Sequence, residues 1–236
     1  SADSSDAFPV MPAAPYGTGN SGVSALTGAG KVEDTIHDLY GSGGTQNGSP
    51  LAGAWLLVLK NYVSPKEFIC KSDSFATTPA QVQDASGNYY VNFQATNQLS
   101  YSFAYPYTST GTVGSWWRNT SDASLPIASD MAPLNGTGRP ARNVAPGSAP
   151  INARSWNSGN HQGDGQNVAF ADGHAEFTRR PDIGQSNDNI FTFTGAKSVS
   201  DVGGSQPGKS AIDMETDGTP YDIVVVPARN LDTGGF

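Results

Sequence analysis

Four acidic side chains, Asp213, Glu215, Asp217 and Asp222, crowd around Gly218 in the run DMETDGTPYD. Carboxylate oxygens at alternating positions, with a glycine to allow a sharp turn, resemble the first half of a loop that wraps calcium. The twelfth position is Val224 rather than a bidentate glutamate, and no helical pattern flanks the run, so it is not an EF-hand. A calcium-stabilised loop is the expectation here. Asp182 and Asp188 in PDIGQSNDNI form a second, sparser set of the same kind.

Cys70 is the only cysteine, which removes any internal disulfide and any metal centre built on cysteines. With His37 or His161 it would make a thiol–imidazole pair, but its place at the end of the β-like run EFIC favours burial over reactivity. His161 and His174, taken with Asp164 and Asp172, match neither H-E-x-x-H nor paired C-x-x-C spacing. His161 therefore reads as a hydrogen-bonding residue at the entrance of a strand. No G-x-S-x-G is present. The glycines Gly17, Gly19 and Gly22 fit the spacing G-x-G-x-x-G, but Pro12 and Pro15 precede them where a strand is required. The triplets at Asn47, Asn119 and Asn135 match the glycosylation acceptor pattern, which a chain this rich in Asn, Ser and Thr produces by chance. No catalytic residue is assigned and the chain is not read as an enzyme. Two other roles stay open. Trp116, Trp117, Tyr105 and Tyr107 would stack on sugars in a carbohydrate-binding module, and Asp130 with Asp164 would be the carboxylate pair of a hydrolase.

The elements that must position these residues are short. Residues 1–30 read as an extended, loop-rich leading segment, and Lys31–Tyr40 as a short helix stopped by the glycines that follow. Leu51–Tyr62 has apolar residues at Leu51, Trp55, Val58, Leu59 and Tyr62, spaced by three and four as one helical face requires. Ser49 would cap that helix, Pro50 would open it and the Ser64–Pro65 step would end it. Strands are expected at Glu67–Cys70, Tyr89–Phe93, Leu99–Tyr105, Pro126–Ser129 and Tyr221–Val226. Asn167–Ala171 and His174–Thr178 flank Asp172–Gly173, read as a two-residue hairpin turn with positive φ angles. Trp55, Leu59, Phe170 and Phe177 are the expected core. The fold class is α+β, in one domain spanning 1–236: a short helix packed on an antiparallel sheet, with long Gly/Pro/Ser-rich loops.

Composition bounds the partners. Charged residues make up 14% of the 236 and the formal net charge is −8. An acidic, lysine-poor chain is a poor match for nucleic acid or for anionic lipid, both of which need clustered cations. No run of 18 apolar residues is present to span a membrane.

The run from Asn160 to Phe177, NHQGDGQNVAFADGHAEF, is similar to the signature of a large bacterial family of prepilin-type proteins, named for a His followed nine residues later by Asp-Gly. Here ten residues separate His161 from Asp172. Leu51–Asp73 resembles the family's helix followed by Y-x-S-P-x-x-F-x-C-P-S-D, with Lys71 in place of the usual Pro, and LSYSFAYP, PIASD, DNIF and DIVVVP follow in order. The resemblance implies a head like that of type IV pilins and type II secretion pseudopilins. An N-terminal hydrophobic helix, not among these residues, would carry filament assembly. It further implies self-assembly or partnership with related subunits, and an extracellular or cell-surface location. Any membrane contact would run through that upstream helix, and Cys70 would find an upstream cysteine as its partner. His161, Asp172 and Gly173 then mark the fold rather than an active site.

Overall fold

The computed structural model describes residues 24–28, 30–40, 50–104, 117–118, 122–131, 157–184, 190 and 225–227, with the backbone alone for 38–40 and 225–227. The run VEDTIHDLY forms helix α1 (Val32–Tyr40), with Glu33 and Asp34 in the first turn, where exposed backbone N–H groups favour negative charge. Helix α2 (Pro50–Leu59) is the most apolar element, and all but one of its ten residues are buried. It is thus a core helix apolar on every side, not one with the single apolar face its spacing predicts. It also ends earlier than expected. Asn61 takes the left-handed conformation at φ 59°, its N–H reaches the Val58 carbonyl (2.9 Å), and the Tyr62 N–H reaches that of Leu57 (2.8 Å). This is the Schellman arrangement, which consumes the last orphan carbonyls before the Ser64–Pro65 step is reached. Tyr62 is left 76% exposed, outside the core face assigned to it from sequence. Ser49 lies outside the described residues.

Two expected strands take other forms. Pro65–Phe68 is a turn of 3-10 helix opened by its proline, so Cys70 follows a helical turn and not a strand. The turn swings Phe68 inward, edge-on to Phe93 with ring centroids 5.0 Å apart. Tyr89–Phe93 makes isolated bridges: Tyr90 opposite Thr27 and Tyr89 opposite Gln83. Bonds from Ser24 N–H to the Phe93 carbonyl (2.7 Å) and from Gly28 N–H to that of Tyr89 (2.8 Å) tie the end of the leading segment along it.

The sheet is five-stranded and antiparallel throughout: β1 (Tyr101–Ala104), β2 (Pro126–Asp130), β3 (Gln166–Phe170), β4 (Ala175–Thr178) and β5 (Val225–Pro227), ordered β4-β3-β2-β1-β5. Four strands form a meander, and β5 closes on the free side of β1. Pro227 fits there because an edge strand leaves one side of its backbone without ladder bonds. Helices and antiparallel strands occupy separate stretches of the chain, which is the α+β class.

The β3–β4 hairpin differs from the turn expected. The Gly173 N–H meets the Phe170 carbonyl and the Phe170 N–H meets that of His174, both at 2.9 Å. Only Gly173 has positive φ, at 87°. Ala171, Asp172 and Gly173 thus form a three-residue loop, a β-turn followed by a left-handed glycine that makes a bulge. Asn167 consequently pairs with Phe177, on the face opposite Val168 and Phe170. Phe170 is buried, with Val168 and Ile190 in a small satellite cluster. Phe177, expected in the core, is 48% exposed.

The main core surrounds Trp55, Phe93, Leu51, Leu99, Leu125 and Met131, all essentially inaccessible. Trp55 stands edge-on to Phe93, centroids 4.9 Å apart, and its Nε1–H donates to the Tyr90 carbonyl at 2.8 Å. Leu59 belongs to the same cluster. Among the described residues no helix is long and apolar enough to cross a membrane.

Candidate functional site

Asp130, the last residue of β2, is the anion around which the site is built. Its side chain is 1% exposed. Oδ2 accepts from the Asn167 backbone N–H (2.6 Å) and from Asn167 Nδ2 (3.0 Å), because β3 runs beside β2 in the register that brings Val168 opposite Ser129. Oδ1 accepts from Asn160 Nδ2 at 3.3 Å. Several donors to a buried carboxylate satisfy oxygens that water cannot reach. The same Asn160 amide also donates to the Ser100 carbonyl at 2.9 Å, so three segments far apart in sequence meet at one point.

His161 completes the group. It ends a turn of 3-10 helix, Gly159–His161, started by Ser158, whose hydroxyl accepts the Asn160 N–H (3.2 Å) and donates to the Met131 carbonyl (2.7 Å). The turn is stopped by Gln162 in the left-handed conformation. His161 Nε2 lies 3.0 Å from Asp130 Oδ2 and 3.2 Å from Asn167 Nδ2. Its ring stands perpendicular to that of Phe177, centroids 5.6 Å apart, so the exposed phenylalanine braces the imidazole. Beside the pair lies the half-buried thiol of Cys70, and one donor atom from each of Cys70, Asp130 and His161 falls within 4.8 Å of the others. A cleft of about 920 Å³ opens onto His161 and is lined by Ser72, Asn160, Gln162, Asp164, Phe177 and Arg179.

The surroundings are electronegative. Tyr101, opposite Asp130 in the β1–β2 register, has its phenol pushed up to about 12, first by burial and then by the negative charges of Cys70, Asp130, Glu67 and Asp73. Two buried polar atoms in this group, Asn160 Oδ1 and Ser100 Oγ, have no hydrogen-bond partner among the described residues.

The other sequence candidates fall elsewhere. Asp172 and His174 pair with each other at the hairpin turn, where N–H and ring contacts from His174 hold the Asp172 carboxyl below its ordinary range. The His174 ring stacks on Phe170 at 4.4 Å. Asp182 is buried against Arg180. Asp164 lines the cleft while Asp130 lies behind His161, so the proposed carboxylate pair is split between the cleft wall and the interior. Trp117 is buried in the core and offers no face to a sugar. His37 is exposed on α1 and does not belong to the Cys70 cluster. Asp213, Glu215, Asp217 and Asp222, with Asp188, Trp116, Tyr105, Tyr107 and the glycine run at 17–22, lie outside the described residues.

A single cysteine excludes a metal centre built on cysteines alone. A mixed site needs only one thiolate, and the fold supplies Asp130 and His161 to it. Such a trio, drawn from three distant segments, leaves no spacing motif. The one signal available was chemical: a Cys, an Asp and a His each lying within a segment of the family-like pattern. Comparison of the chain with family models, with curated proteins and with solved structures returns no match.

Proposed function

We propose that this chain is a structural, non-catalytic subunit of a pilus-like or pseudopilin-type filament, carried outside the cytoplasm and assembling with copies of itself or with related subunits. The observation that supports this reading is where the polar residues of the 160–177 run spend their bonding capacity. Asn160 and Asn167 hold Asp130, Asn160 also holds the Ser100 carbonyl just ahead of β1, and Gly173 serves the hairpin bulge. These are commitments that make a head rigid, as a filament subunit requires. The order of elements, a core helix followed by an antiparallel meander, agrees with a pilin-like head. In this reading Asp213, Glu215, Asp217 and Asp222, which lie outside the described residues, hold calcium. Electron microscopy of native material, with gold-labelled antibody to this chain, tests the proposal. Regular filaments decorated along their length are expected; a monodisperse, unassembled protein in the same material would overturn it.

A further inference from the structure

We propose that Cys70, Asp130 and His161 are the protein ligands of a single divalent cation of the zinc type, reached through the cleft at His161. This inference stands independently of the filament reading. The donor set argues for it first. One sulfur, one imidazole nitrogen and one carboxylate oxygen suit a borderline transition-type ion, while calcium and magnesium select oxygen alone. With thiolate and carboxylate both ionised, the two negative charges neutralise a dication at the end of a buried strand.

The geometry argues second. A tetrahedral ion with bonds of about 2.0–2.3 Å sets its ligand atoms roughly 3.3–3.6 Å apart. His161 Nε2 and Asp130 Oδ2 are 3.0 Å apart, and the thiol lies within 4.8 Å of its partners. The sulfur has to close the remaining gap through a change in the side-chain torsion of Cys70, a half-buried loop residue. In the metal-free protein a hydrogen bond bridges the imidazole nitrogen and the carboxylate oxygen at this distance, and the ion would take the place of that hydrogen. Binding releases the thiol proton and moves any proton on Nε2 elsewhere, to Nδ1 or to solvent.

The supporting shell argues third. Asn167 and Asn160 fix the Asp130 carboxylate, and the Phe177 ring fixes the imidazole plane, as the outer partners of metal ligands do. Asn160 Oδ1, buried and without a partner among the described residues, lies on the residue joining this shell to the cleft. The cleft meets the trio at His161, and with three protein ligands the fourth position would go to water or to a group from outside.

The experiment is cobalt substitution of the full 236-residue chain after EDTA treatment. One equivalent of cobalt should bind with a near-ultraviolet thiolate-to-cobalt charge-transfer band, and zinc should displace it. Excess calcium should not. Cys70→Ser should abolish the band and weaken zinc at least tenfold, and His161→Gln should weaken zinc by a similar factor. Far-ultraviolet circular dichroism of the metal-free variants checks that they fold. If His161→Gln does not, Cys70→Ser decides alone, since it exchanges sulfur for oxygen with little change in volume at a half-buried position. A bound cobalt without the sulfur band, zinc affinity unchanged in a folded variant, or displacement by calcium would each overturn the proposal.

Discussion

Tyr101 reports on the charge around Asp130 through a single proton. Its phenol is raised to about 12, by burial first and by neighbouring negative charges second. A group whose folded pKa lies above its unfolded value adds stability below the unfolded value, near 10, and loses it as pH rises through the folded one. The chain should therefore lose stability between about pH 10 and 12. Ultraviolet titration should show one tyrosine ionising near the upper limit, shifted downward in Asp130→Asn. A titration indistinguishable between the two proteins would mean that the carboxylate's charge does not reach the phenol. Asp130 shows how differently residues declare themselves. The sequence offered it just past the expected strand Pro126–Ser129, as one of a carboxylate pair with Asp164; its burial among Asn160, Asn167 and His161 was not legible, because those partners are supplied by long-range register.

The β3–β4 hairpin and the residue leading into it supply two glycines that are required for different reasons. Gly173 sits at φ 87° with open space where a Cβ would project, so the cost of replacing it is conformational. Gly173→Val should lower stability by about 1–2 kcal/mol, and Gly173→Asn by distinctly less, because Asn tolerates the left-handed region. Gly165 has no such conformation, yet a Cβ there would lie 2.2 Å from the Thr178 carbonyl oxygen and 2.7 Å from the Phe177 ring. Backbone cannot yield as a side chain can, so Gly165→Ala should cost about 3 kcal/mol or more and loosen β4. Thermal unfolding of the three variants checks the ranking, and Gly165→Ala milder than Gly173→Val would refute it. The hairpin was legible because Asp-Gly between alternating apolar residues is a strong local signal. Its loop length was not, and one additional loop residue suffices to send Phe177 to the opposite face from Phe170. The same limit explains Pro65–Phe68, where a proline-initiated turn overrode the β tendency of EFIC.

At the scale of the whole molecule, the sequence read correctly as helix followed by antiparallel strands, since long apolar runs and turn residues are local properties. The order of strands was not readable, because nothing near Tyr101–Ala104 indicates that its second neighbour is β5, which lies more than half the chain away. That pairing has a kinetic meaning. The β3–β4 ribbon closes over three residues, whereas seating β5 closes a loop spanning more than half the protein, with a correspondingly larger entropy cost before any contact compensates. Chain assembly should begin at the 166–178 ribbon and end with β5, and the latest contact to form should be among the first to open. Native-state hydrogen exchange should find the β1 amides that donate to β5 exchanging faster than those that donate to β2. Equal protection on both sides of β1 would show the sheet opening as one unit. If the order holds, the β1 edge is a latch: the protein can bare a strand's worth of backbone hydrogen-bonding groups to a neighbouring molecule without dismantling its core.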